Sequence, residues 1–178
     1  MSGHRRCDIS VALGVQWVHY RQMFELLPGM GLVLPYQAGV LRFGMSERAA
    51  QWVVASLADV RESWVCQAGW AFTAACDGVE LLAFGDCVDR MGRAERDRSG
   101  LAAVVLRRSE YDALTGPSTL PVVLDGIDIF GYPATEVLDV LTSADYPDVR
   151  LPAASPGTYL PEVSVSCLPF GDQVPTSA

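Results

Sequence analysis

The sequence predicts an α+β fold, an antiparallel or mixed sheet carrying two short helices, and three features lead to that expectation. Two alternating apolar runs, Trp70 to Cys76 and Val79 to Phe84, are joined by Asp77-Gly78, the strongest short-range hairpin signal a sequence offers. A short pattern also occurs twice, as Gly39-Val40-Leu41-Arg42-Phe43-Gly44-Met45-Ser46 and as Gly126-Ile127-Asp128-Ile129-Phe130-Gly131-Tyr132-Pro133. Each copy is a β-type run closed by Phe-Gly. Each leads into apolar residues at helical spacing, as expected of a packing element used twice.

Pro28-Gly29 and Pro35 mark a loop ahead of the first copy. Ser46 is placed to cap a helix, with Glu47 in the first turn, where the helix dipole favours an acid. Val53, Val54 and Leu57, with Ala50 a turn earlier, form the apolar face; Trp52 lies on its flank, and the helix is expected to end near Asp59. Beyond the Asp77-Gly78 hairpin, residues 86–99 carry charges of both signs and read as a solvated segment. Leu101–Leu106 reads as a buried strand closed by Arg107-Arg108, and Ser109–Ser118 as a short helical turn and loop. Val122–Leu124 and Ile127–Phe130 form a strand or bent pair around Asp125-Gly126.

The second helix is expected to start at Pro133 or Ala134, since proline is well tolerated at the first helical position. Val137, Leu138 and Leu141 repeat the face of the first helix, about one helical turn closer to the strand. Pro147, Pro152 and Pro156 open a loop. Val163, Val165 and Cys167 then alternate with serines as a last strand, which Pro161 and Pro169 place at a sheet edge.

A chain of 178 residues, half of them hydrophobic, has enough apolar surface for a sizeable core. The expected organisation is an N-terminal extension over 1–22, a single domain over 23–170 built from two related units (about 23–110 and 111–170), and a disordered tail over 171–178. The net charge of −8 disfavours nucleic acid or an anionic membrane as partner and leaves a basic protein or a small molecule open. All 13 basic residues are arginine. With neither lysine nor asparagine in the sequence, a Schiff-base lysine, a phosphate-loop lysine and an N-glycosylation acceptor are all excluded. Five widely spaced cysteines without a C-x-x-C pair suit reduced thiols, and a cytoplasmic location is expected. His4-Arg5-Arg6 precedes the apolar stretch Ile9–Val18, but Gln16 interrupts that stretch and it is too short to span a bilayer.

Catalytic signatures are absent. A cysteine nucleophile needs a nearby base, and the two histidines, His4 and His19, both lie in the N-terminal extension, while Cys76 and Cys87 read as small buried residues on strand faces. No zinc-type spacing or calcium loop occurs, so neither metal nor cofactor is expected. The candidate binding residues are Trp52 and Trp64, two tryptophans off the apolar patterns, and Asp125, Asp128 and Tyr132 around the second Phe-Gly copy.

The run Val40-Leu41-Arg42-Phe43-Gly44-Met45-Ser46, with Val53 two turns on, resembles the F-G-M-[ST]-x-x-x-V signature of the β-lactamase-inhibitory proteins and the SmpA/OmlA outer-membrane assembly lipoproteins. It covers the first copy and the helix after it; the second copy has Tyr132-Pro133 where Met-Ser is expected. The resemblance implies small α/β units, sometimes in tandem, that set a helix against an antiparallel sheet and bind other proteins. Small size, an acidic charge, missing catalytic groups and the two off-pattern tryptophans lead to the function expected, a non-enzymatic protein-binding module, with an immunity-type protein that neutralises a toxin as the sharper form. The rivals are an enzyme or small-molecule binder with a carboxylate-lined pocket between the units, using Asp125, Asp128 or Glu80, and a subunit that self-associates through an edge strand.

Overall fold

The alternating runs around Asp77-Gly78 form the central hairpin of the molecule. A computed structural model describes residues 22–88, 93–94, 99–109, 116–141, 146–153, 155 and 157–167. The N-terminal extension up to residue 21, the C-terminal tail, most of the charged 86–99 segment and most of the 109–118 stretch read as a helical turn and loop lie outside these residues. In chain order the strands are β1 (Phe24–Leu27), β2 (Gly31–Leu34), β3 (Gly39–Arg42), β4 (Arg61–Glu62), β5 (Trp70–Cys76), β6 (Val79–Gly85), β7 (Leu101–Arg108), β8 (Val122–Leu124), β9 (Ile127–Asp128), β10 (Val149–Arg150) and β11 (Glu162–Ser166). The helices are α1 (Glu47–Ala55), between β3 and β4, and α2 (Ala134–Leu141), between β9 and β10.

Two sheets result, and the fold is α+β. One has the order β3-β2-β1-β8-β9 and is antiparallel except for the parallel pair β1–β8. The other, β10-β11-β7-β6-β5-β4, is antiparallel throughout. Residues 23–110 supply three strands to the first sheet, then α1, then four strands to the second. Residues 111–170 follow the same plan with two strands, α2 and two strands. The two stretches meet at β1–β8 in one sheet and at β7–β11 in the other.

One hydrophobic core joins them. Phe24, Leu32 and Leu41 from the first sheet, Phe72, Leu81 and Val163 from the second, Val54 from α1 and Val137 from α2 belong to a single buried cluster. Trp70 stacks on Phe72 with ring centroids 5.9 Å apart. On β6 the burial alternates strictly, with Val79, Leu81 and Ala83 inward and Glu80, Leu82 and Phe84 less buried, as the period of a strand requires.

Local chemistry explains the element ends. Asp77 and Gly78 take φ of 47° and 82° and close β5–β6 as a two-residue turn. Asp125 and Gly126 take 50° and 82° and close β8–β9 the same way. Both are the double positive-φ turns whose twist matches a hairpin, and Asp-Gly supplies the tolerant residues. Ser46 caps α1, its Oγ accepting from the Ala49 N–H at 3.4 Å, with Glu47 in the first turn.

Several boundaries differ from expectation. The stretch from Pro28 to Pro35 is no mere loop: β1 and β2 pair around Pro28-Gly29, and Leu26, Leu32 and Leu34 are buried. Proline and glycine there make the turn inside a hairpin rather than a break before one. Helix α1 ends at Ala55, because Ser56 turns its N–H and hydroxyl onto the carbonyl of Val53. The proline-rich segment after α2 contains β10. Strand β11 is not an edge, for it lies between β10 and β7. Pro161 flanks the ladder instead of interrupting it, and its carbonyl accepts the Arg108 N–H at 2.8 Å.

Each Phe-Gly copy ends an outer strand of the first sheet and turns toward the second. At the first, the Gly44 N–H donates to the Leu101 carbonyl at 2.9 Å and the Leu101 N–H to the Met45 carbonyl at 2.6 Å, at the start of β7. At the second, Pro133 bridges Tyr159 ahead of β11, and the Ala134 N–H donates to the Thr158 carbonyl at 2.8 Å. The motif is a corner where one sheet is stitched to the other.

Candidate functional site

The tryptophans singled out from sequence stand clear of the core. Trp52 on α1 is 74% exposed and Trp64, just beyond β4, is 81% exposed. Their neighbours explain this geometry: Ala50 and Val54 use the buried face of α1, which packs on β3 and β5, so Trp52 is turned outward. Trp64 follows the outermost strand of the second sheet, β4, whose residues Arg61 and Glu62 are both exposed. β4 pairs with β5 and α1 packs on β5, so the elements that carry the two indoles both adjoin the same strand.

The residues chosen around the second motif do different work. Asp128 Oδ1 accepts from the Val122 and Phe130 N–H groups, at 3.2 Å each. The Gly131 N–H donates to the Asp128 main-chain carbonyl at 3.3 Å and also lies against its carboxylate, so Asp128 ties β9 to β8 and to the corner that follows. Burial raises its pKa above the usual carboxylate value; the three amides and the positive charge of Arg108 oppose that without reversing it. Arg108, at the end of β7, is 3% exposed; its guanidinium donates to the Gly116 carbonyl at 2.6 Å and lies 5.5 Å from the centre of the Tyr159 ring. Asp125 is exposed in its turn and accepts the Tyr146 hydroxyl at 2.9 Å. Tyr132 is 54% exposed at the corner before α2. Glu80 lies on the other sheet, beside Asp59 and Arg61 in a shallow depression of about 180 Å³. Asp125, Asp128 and Glu80 thus do not converge on a common pocket.

A larger cleft, which sequence reasoning missed, opens elsewhere. It measures about 480 Å³ and is lined by Gln22, Tyr36, Asp77, Thr119, Leu120 and Pro121. The Tyr36 hydroxyl donates to Asp77 Oδ2 at 2.5 Å, and Thr119 Oγ1 to the Asp77 carbonyl at 3.2 Å. The Asp77 bond, followed by burial and the carboxylate charge, pushes the Tyr36 hydroxyl up to about 12. The neighbouring Cys76 thiol is pushed up to about 11, first by burial and then by Asp77, so it is a protonated, weakly nucleophilic thiol at neutral pH. Tyr36 and Gln37 both hold positive φ, 56° and 60°, a strained setting for two consecutive residues with side chains. Asp77-Gly78 betrayed only its turn. The backbone of Tyr36-Gln37 carries no glycine or asparagine to announce it.

Among the described residues, no group of three or more His, Cys, Asp or Glu side chains is placed to hold a metal ion. No helix among them is long and apolar enough to cross a membrane. No family model, curated protein or solved structure matches this chain. The geometry of the chain itself therefore carries the functional argument.

Proposed function

We propose that this chain is a protein-binding module whose partner is anchored by Trp52 and Trp64. The observation that carries the reading is the outward placement of two indoles, 74% and 81% exposed, on elements that both adjoin β5. Tryptophan is rarely left in water without use and is prominent among residues that dominate binding energy. A net charge of −8 would speed encounter with a basic protein, and disfavours nucleic acid or an anionic membrane. The immunity-type reading, neutralisation of a toxin inside the cell, gives that partner a concrete form.

Coexpression with the product of the neighbouring gene, followed by surface plasmon resonance, tests it. Trp52→Ala or Trp64→Ala should weaken the complex by about 30-fold each. Thermal midpoints should stay near that of the parent, because neither indole is in the core. A complex that forms equally well with both tryptophans removed would sink this assignment of the interface. If the neighbour's product neither binds nor loses activity on mixing, the immunity reading fails as well.

A further inference from the structure

We propose that the cleft at Tyr36, Asp77 and Thr119 is a receptor for a positively charged group, an ammonium or a guanidinium. Four segments of the chain build it: Gln22 two residues ahead of β1, the turn after β2, the β5–β6 turn and the approach to β8. Their hydrogen bonds leave a particular polarity. The hydroxyl protons of Tyr36 and Thr119 are both directed at Asp77, to its carboxylate and its carbonyl respectively. What remains for a ligand are lone pairs on Asp77 Oδ1, Tyr36 Oη and Thr119 Oγ1, and the amide of Gln22, which also lines the cleft, has an oxygen to add. One full negative charge lies among them, and no basic residue among the described ones lines the cleft. The adjoining Cys76 thiol keeps its proton at neutral pH, so it adds no second charge to the site.

Shape agrees with that polarity. A volume of about 480 Å³ accommodates a side-chain-sized group. The Tyr36 side chain is 47% exposed, which leaves its ring open to stack on a cation beside the carboxylate. Two consecutive positive-φ residues hold that ring in place, and such strain collects at sites where a side chain must be presented. The depression around Glu80 makes the contrast: there Arg61 lines the same surface as Asp59 and Glu80, so the lining mixes positive and negative charge.

The charged group could belong to a free amine or to an arginine side chain of a protein. Titration of the full chain with agmatine, and separately with a neutral-flanked peptide containing one arginine, distinguishes them by amide shifts in NMR spectra. Saturable shifts at Asp77 and Thr119 are expected with at least one probe, and butylurea, which carries neither an ammonium nor a guanidinium, should leave them unmoved. Peptide binding tighter than agmatine assigns the site to a partner's side chain; the reverse order assigns it to a small amine. Asp77→Asn preserves the turn, because asparagine accepts positive φ readily, and should weaken binding by about tenfold or more. Tyr36→Phe keeps the ring and should weaken it less than Tyr36→Ala. Absence of saturation by either probe at about 10 mM, or equal affinity in the Asp77→Asn protein, overturns the proposal. Neither result depends on Trp52, Trp64 or any protein partner, so this site and the tryptophan interface stand or fall separately.

Discussion

Asp128 shows how one side chain can look like a functional acid and work as a fastener. Its carboxylate accepts amides on both sides of the β8–β9 turn and lies against the amide of the following glycine. Replacing it with alanine leaves those amides without their acceptor, and Asp128→Ala is expected to cost about 2 kcal/mol in urea unfolding. Because burial raises its pKa in the folded protein, the native state holds the Asp128 proton more tightly than the unfolded chain does. The stability this contributes is present below the ordinary carboxylate value and is lost as pH rises through the raised one. Stability relative to Asp128→Asn should therefore increase on acidification across that window, and parallel urea titrations from neutral to acidic pH would detect the opposite trend. The thiols give a second residue-level test. Exposed Cys66 should be alkylated well before Cys76, whose thiol is pushed up to about 11, and before buried Cys87. Timed iodoacetamide labelling with peptide mass analysis reads that order directly.

Among the elements, the glycines at the corner and turns separate steric demand from backbone demand. Gly100 holds φ of 71°, and a Cβ there would lie 2.4 Å from the Gly44 carbonyl oxygen. Gly126 holds φ of 82° but has nothing within 4 Å. Gly100→Ala is expected to cost about 3 kcal/mol or more, since backbone cannot yield as a side chain can. Gly126→Ala should cost about 1 kcal/mol, the price of the left-handed conformation alone. Equal losses in the two variants would contradict the corner geometry. The repeated Phe-Gly motif has the same split within it. Gly44 serves its positive φ in open space, whereas at Gly131 a Cβ would lie 2.3 Å from Asp128 Oδ2. The copies share a place in the fold and differ in the reason each needs glycine.

Across the whole molecule, stability depends on contacts that join the two halves. Asp148, before β10, accepts the Gly29 N–H from the β1–β2 turn through Oδ2, and its own carbonyl accepts the Ser166 N–H at 2.9 Å. It is 8% exposed, so this clamp between the sheets is shielded from water. Asp148→Ala should cost about 2 kcal/mol and deprotect the Gly29 amide, as hydrogen exchange can show. A loss of protection spread evenly over both sheets would instead mean that the clamp has no local role. Since each sheet draws strands from both halves around one core, removing either half should leave apolar surface exposed on the other.

Hairpins closed by Asp-Gly, the alternation along β5 and β6, the Ser46 cap and the faces of both helices were legible because each is set by a few neighbouring residues. The outward setting of Trp52 and Trp64 could likewise be inferred, since each stands off a regular apolar pattern. Strands β4 and β10, two residues each, could not be read, because only the partner strand makes them strands. The same holds for β11, whose flanking prolines suggested an edge while Val149–Arg150 pairs along its outer side. The Tyr36–Asp77 cleft was hidden for the same reason. Its lining comes from four separated segments, and the positive φ of Tyr36 and Gln37 is not signalled by either residue. Local sequence thus determined the periodicity, the turns and the repeated corner of this protein. Tertiary structure decided which side chains meet, because contacts between distant segments are fixed only when both sheets close on one core.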